Sequence, residues 1–226
     1  MVITGFPAGM FQTNCYVVAP AAGGEAVIID PGQDAAPNVD KLLADHDLTP
    51  VAVLLTHGHL DHTWNAAPVA DRYGIPIYLH PHDRAMLEDP AVGVGPTLGA
   101  MLPGITYTAP TDVRDFVDRR TEHLAGIDIA IDHAPGHTQG SVLLSVTTDD
   151  GVDVVFSGDV LFAGSIGRSD LPGGDGEQLL ASIAATLLPR SDQTLVLPGH
   201  GPSTTIGDER RSNPFLAGLT PTGKDV

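Results

Sequence analysis

The chain has 226 residues, of which 42% are hydrophobic and 17% charged, a balance that excludes a disordered or bulk membrane-spanning polypeptide and suits one large α/β domain. The formal net charge of −17 sets it against nucleic acid as a main partner, because two polyanions repel at physiological salt. No apolar run reaches the roughly 20 residues of a spanning helix, no basic-then-apolar leader opens the sequence, and the single cysteine, Cys15, rules out an internal disulfide framework, so a cytoplasmic protein without a membrane partner is expected.

In chain order, residues 14–19 and 25–30 read as strands joined by a turn over 20–24, which suits a hairpin. Residues 35–45 have a helical pattern, and 51–55 form a continuous apolar run of the kind buried on both faces of a sheet. A helix over 62–73 is expected to end at Gly74, followed by a strand over 75–80. Residues 89–110 are rich in glycine and proline yet apolar, the composition of an irregular lid or binding loop. Strands follow at 127–132, 141–147 and 152–157, then a helix at 177–188 and a strand at 194–197. Sheets covered by helices on their outer faces fit this order. Residues 1–218 are expected to form a single domain and 219–226 a frayed, disordered tail.

The chemistry is concentrated in Thr56-His57-Gly58-His59-Leu60-Asp61-His62. Three imidazoles and a carboxylate fall within six residues, directly after a buried strand. Coil at a strand end can splay successive side chains around one point, whereas a regular helix or strand would divide them between faces. Imidazole and carboxylate are the ligand types that zinc, manganese and iron accept. Residue frequencies make His-x-His-x-Asp-His a chance event on the order of one in a thousand in such a chain. One cluster cannot complete two coordination spheres, and three further strand ends offer ligands: His137 in a Gly/Pro-rich turn, Asp159 after Phe156-Ser-Gly, and His200 after Leu197-Pro-Gly. Asp30 closes another strand.

Taken together, Asp30, residues 56–62, Gly136-His137-Thr138, Gly158-Asp159 and Gly199-His200-Gly201 resemble, in order, the five motifs of the metallo-β-lactamase superfold, over residues 14 to about 216. Within that superfold the chain is most similar to glyoxalase II-like hydrolases, through residues 158–168, 170–175 and 204–216. The resemblance implies an α/β fold, an αβ/βα four-layer sandwich with metals at one edge. It implies two divalent ions, zinc first with iron or manganese as alternatives: one on His57, His59 and His137, the other on Asp61, His62 and His200, with Asp159 bridging. Asp30 would support the metal loop from behind. Asp61 and Asp159 would be the catalytic carboxylates, and Arg168 would contact substrate. The implied reaction is cleavage of a thioester of the S-lactoylglutathione type, a small-molecule substrate, by a metal-bridging hydroxide. The chain departs from typical glyoxalase II sequences at Ser169-Asp170, where those carry an aromatic pair, and at Gly201-Pro202, where a tyrosine is usual. With residues 201–226 alone following His200, the helical domain that supplies further glutathione anchors is expected to be absent.

Two other readings compete. Gly167-Arg168-Ser169-Asp170 also resembles persulfide dioxygenases, which would hold one iron on His57, His137 and Asp159. A non-catalytic metal protein would instead close its coordination shells. Cys15 has no base beside it in sequence and is expected to be a packed small hydrophobe. His46 and His123 are expected in solvent and His80 and His82 at a helix start; for His133, four residues before His137, a place beside the metal ligands is the lesser of two readings.

Overall fold

A computed structural model describes residues 1–99 and 106–222, without the side chains of 96–99. Six strands make the first sheet in sequence order: β1 (Val2–Ala8), β2 (Thr13–Ala19), β3 (Glu25–Ile29), β4 (Thr49–Leu54), β5 (Ile77–Leu79) and β6 (Val113–Asp115). β1, β2 and β3 pair antiparallel, and β3 to β6 pair parallel. Four more strands follow, β7 (Thr121–Leu124), β8 (Ile127–His133), β9 (Val142–Thr147) and β10 (Asp153–Gly158). A small hairpin, β11 (Leu161–Phe162) with β12 (Ser165–Ile166), precedes β13 (Leu195–Pro198) and β14 (Thr204–Thr205). The second sheet runs β14-β13-β10-β9-β8-β7.

The layers follow from strand periodicity. Alternate residues of one strand face opposite sides, and here both sides are apolar. Val17, Ile28 and Val53 pack outward beneath α1 (Ala36–Asp45), while Val18, Val27 and Leu54 pack inward against Ile129, Leu144 and Phe156 of the second sheet. On that sheet Leu143 and Val155 face out, against the helix Gly176–Thr186 through Leu179 and Ile183. Three buried clusters between four layers make the αβ/βα sandwich that the sequence led us to expect.

The helix expected over 62–73 is two: α2 (Leu60–Thr63) and α3 (Ala66–Tyr73), separated at Trp64 and Asn65. The break lets α2 carry ligand-type side chains while α3 buries Ala66, Val69 and Ala70 on the sheet. α3 ends as expected at Gly74, whose φ of 64° only glycine adopts at no cost. The 89–110 segment is not irregular throughout: α4 (Arg84–Glu88) leads into α5 (Ala91–Gly99), kinked at Gly95, and residues 100–105 of the expected lid lie outside the described residues. The outer helix α6 (Gly176–Thr186) starts where Asp175 accepts from Gln178 N at 3.0 Å, and α7 (Ile206–Ser212) starts on Thr205. Of the tail, Leu219 packs against the third cluster and Thr222 N donates to Ala184 O at 3.1 Å, while 223–226 lie outside the described residues. No helix among the described residues is long and apolar enough to cross a membrane.

Candidate metal centre

Every ligand-type residue singled out in the sequence reaches one edge of the sandwich. β4 delivers Thr56, His57 and His59, and α2 begins on His59, placing Asp61 and His62 on its single turn. β8 leads to the turn that carries His137. β10 shifts register between Phe156 and Gly158, and that bulge aims Asp159 at the edge. β13 leads to His200, whose loop is fastened across the sheets. Asn14 N donates to Gly199 O at 2.7 Å, Asn14 Nδ2 to Pro198 O at 3.0 Å, and Tyr16 Oη to Pro198 O at 2.8 Å.

His57, His59 and His137 form one convergent group. His59 Nδ1 lies 2.9 Å from His137 Nε2, which lies 3.2 Å from His57 Nε2. Asp61, His62 and His200 form a second, with His200 Nε2 3.2 Å and His62 Nε2 3.6 Å from Asp61 Oδ2. Asp159 faces both groups: Oδ1 is 3.3 Å from His62 Nε2, and Oδ2 is 3.6 Å from His200 Nε2 and 3.7 Å from His137 Nε2.

The protonation pattern tests whether cations fit here. Asp30 accepts from Thr56 N at 2.8 Å, from Thr56 Oγ1 at 2.6 Å and from His62 Nδ1 at 2.9 Å. The Thr56 proton is thus spent on Asp30, and its oxygen is left to accept from His57 Nδ1 at 3.1 Å. His137 Nδ1 donates to Arg168 O at 2.7 Å. Each of these contacts puts a ring proton on Nδ1, which leaves Nε2 of His57 and His137 as a bare lone pair and turns Nε2 of His62 toward Asp61 and Asp159. Lone pairs 3.2 Å apart repel, yet this is the spacing of about 3.3 Å that two tetrahedral zinc ligands adopt. His62 Nε2 and Asp159 Oδ1, which face the convergent groups, are buried with no hydrogen-bond partner among the described residues, a costly arrangement without a cation. The residues fit a two-ion centre.

Electrostatics follow the same geometry. Burial, reinforced by the neighbouring imidazoles, holds His57 well below the usual histidine range and brings His59 down to about 4. Burial acts on His62 in the same sense, but Asp61, Asp159 and Asp30 outweigh it and raise the ring. Burial opposes ionisation of Asp61 and Asp159, and His62 beside them carries both below the ordinary carboxylate range.

Beyond the ligand groups, Asp30 lies against Thr56 and His62, at a φ of 49°. The structure adds Asp83, which the sequence did not mark. Its carboxylate accepts from Gly58 N at 2.9 Å, Thr138 Oγ1 at 2.7 Å and Gly140 N at 2.7 Å, tying the His57–His59 loop to the His137 turn. Gly199 is also required: a Cβ there would press on Asp159 and lie 2.6 Å from His62 Cε1. Arg168 lines the adjoining cavity, but its guanidinium donates twice to Asp170 at 2.8 Å. Its carbonyl, through His137, touches the centre more directly than its charge. The cavity measures about 1090 Å³ and is walled by Met10, Phe11, Trp64, Phe162 and Leu171 beside Asp61 and Asp159. His123 is exposed as expected, and Cys15 is fully buried. His133 joins His80 and His82 rather than the ligand groups.

The metallo-beta-lactamase superfamily matches residues 8–200. The chain belongs to it. An uncharacterized protein of Mycobacterium tuberculosis is 52% identical over 97% of this chain and 100% of its own. Hydroxyacylglutathione hydrolase GloC of Haemophilus influenzae is 37% identical over 96% and 98%. Among solved structures, BLEG-1 B3 metallo-beta-lactamase superposes with a TM-score of 0.84 at 42% identity, covering 96% of this chain and all of that one. TTHA1623 in a di-iron-bound form follows at 0.78 and 38%, with the same coverage. ETHE1 from Myxococcus xanthus gives 0.77 and 25%, covering 96% and 85%. The fold is the metallo-β-lactamase sandwich, and the superfamily is one of metallo-hydrolases.

Proposed function

We propose that this protein is a dinuclear metal-dependent hydrolase of thioesters of the S-lactoylglutathione, or hydroxyacylglutathione, type. One observation carries the reading: two three-residue ligand groups, His57, His59 and His137 against Asp61, His62 and His200, converge on a single carboxylate, Asp159. Two divalent ions held there, zinc first with iron or manganese as alternatives, would supply an activated water at neutral pH and a positive field for the charge that develops on a carbonyl oxygen. In this reading Asp61 and Asp159 are the catalytic carboxylates. Asp61 is held between Thr13 Oγ1, which donates to Oδ2 at 3.3 Å, and His200. Asp30 and the Arg168 carbonyl keep the imidazole lone pairs aimed inward, and the apolar cavity wall receives the rest of the substrate and sheds water. Apart from histidine, Arg168 is the only basic residue among the described lining residues. There an anionic thiol moiety would compete with Asp170 for the guanidinium. The likeness to the Haemophilus influenzae hydrolase supports the substrate class.

The likeness to ETHE1 lends support to a second reading, one iron on His57, His137 and Asp159 oxidising a persulfide. The second convergent group, Asp61, His62 and His200, has no task in it. Metal analysis paired with kinetics separates the two. We expect two ions per chain and S-lactoylglutathione hydrolysis that a chelator abolishes and zinc restores. One iron per chain with oxygen uptake on a persulfide, or inactivity on a panel of thioesters, would sink the proposal.

A further inference from the structure

Three histidines outside the catalytic edge form a cluster of their own. His80 follows β5 and caps the 3-10 turn Pro81–Asp83, His82 lies within that turn, and His133 closes β8. One ring nitrogen from each lies within 4.8 Å of the other two. The rings of His80 and His133 stack 4.1 Å apart at 10°, and His82 stands edge-on to His80 at 4.7 Å. His80 is buried, His133 half-buried and His82 exposed, so the cluster is walled on one side and open to solvent on the other. None of the three belongs to the ligand groups around Asp159.

A second feature separates this cluster from incidental packing. The Gln139 carbonyl faces two of the rings, 2.8 Å from His133 Nε2 and 3.4 Å from His82 Nδ1. A carbonyl oxygen only accepts, so both nitrogens carry their protons, and His133 Nδ1 and His82 Nε2 are left with free lone pairs. Ligating histidines are fixed in the same way, one N–H on a backbone carbonyl and the other nitrogen on the metal. We propose that His80, His82 and His133 form an auxiliary site for a first-row divalent cation of the zinc and copper class. Three neutral imidazoles with water in the fourth position are a familiar donor set for these ions. Tetrahedral ligand nitrogens sit about 3.3 Å apart, and the exposed His82, held only by its long 3.4 Å contact to Gln139 O, would have to turn toward the other two rings to close the gap. Burial, together with the adjacent His133 and His82 rings, brings His80 down to about 4, and its Nδ1 lone pair, which accepts from His82 N at a long 3.3 Å, would exchange that contact for the cation. A bound ion would join the Pro81–Asp83 turn to the end of β8.

The test compares metal counts in two proteins. Wild type and His82→Ala, both carrying the full complement of zinc at the catalytic edge, are dialysed to equilibrium against free zinc, and bound metal is counted by mass spectrometry. Wild type is expected to hold one equivalent more than His82→Ala, with the thermal midpoint before dialysis and thioester hydrolysis the same in both. Equal counts in the two proteins would overturn the site. So would an additional equivalent that survives the substitution. Because the readout is a difference between two chains, it does not depend on how many ions the catalytic edge holds or on which substrate it cleaves.

Discussion

At the scale of single residues, the arrangement around Asp30 makes the sharpest claim. One carboxylate receives Thr56 N, Thr56 Oγ1 and His62 Nδ1, and through Thr56 it also sets the proton on His57. In Asp30→Asn one acceptor oxygen becomes a donor facing groups that themselves donate. Metal affinity is expected to fall on the order of 10- to 100-fold, which competition with a chromophoric chelator will read; an unchanged affinity would refute the role. Asp83 acts differently, because it holds loops rather than ligands. Asp83→Ala strips the acceptor from two backbone N–H groups and one hydroxyl, all buried, and should cost at least about 2 kcal/mol of unfolding free energy in a denaturant titration. Tyr16 offers a pH signature. Burial raises its phenol above the ordinary tyrosine range, and its hydroxyl donates to Pro198 O. The folded chain therefore binds that proton more tightly than the unfolded chain. The resulting stability is complete below the ordinary tyrosine pKa of about 10 and is lost as pH rises beyond it. Tyr16→Phe should remove that part of the alkaline loss, measured as stability against pH above 10.

Among the elements, the strands that carry the site were legible because each ends an apolar run at a ligand residue: 51–55 before His57, 127–132 before His137, and 194–197 before His200. The ligand residues themselves were legible as a spacing and as a resemblance. What stayed hidden was long-range. β6 and β7 show no apolar period that separates them from loop, being three and four residues long and mostly polar. Their strand character comes from neighbours already in place, β5 and β8. The contacts of Asn14, Tyr16 and Asp83 with the ligand loops join residues from 25 to nearly 190 positions apart, and no local pattern announces such a partner. The expected 62–73 helix shows the converse: helical propensity runs through Trp64 and Asn65, but Asn65 is diverted to accept from Ala36 N at 3.1 Å, and the helix breaks there. The outer helix α6 is held mainly by packing, beside the hydrogen bond that Ser182 Oγ donates to Pro135 O at 2.7 Å. Leu179→Ala empties a fully buried position between α6 and the second sheet, for an expected loss of roughly 2–5 kcal/mol, while activity per folded molecule should be unchanged. A specific loss of turnover would show that α6 does more than cover the sheet.

For the molecule as a whole, the edge that gathers the ligand-type residues is a region of electrostatic cost that a bound cation would relieve. Without metal, His57 and His137 are buried with their lone pairs turned on one another, in the same sandwich whose three apolar clusters supply its stability. An ion that binds only the folded chain adds RT ln(1 + [L]/Kd), about 2.7 kcal/mol at a hundredfold excess over Kd, so chelation should lower the thermal midpoint at neutral pH. The metal-free protein should also fail in acid for an identifiable reason. His57 lies well below the ordinary histidine range, and His59 and His80 lie at about 4. Between pH 6.5 and 4 the unfolded chain therefore binds more protons than the folded one, and stability falls as pH falls. His62 and His200 are raised, the direction in which the folded chain holds its protons the more tightly, so they do not add to this loss. Asp83, raised by burial, opposes the trend with a single proton against three. The net expectation is a thermal midpoint of the chelated protein that declines steadily from pH 6.5 to 4. A flat or rising profile would mean that the imidazoles are not held neutral, and with that the case for lone pairs poised on a cation would fail.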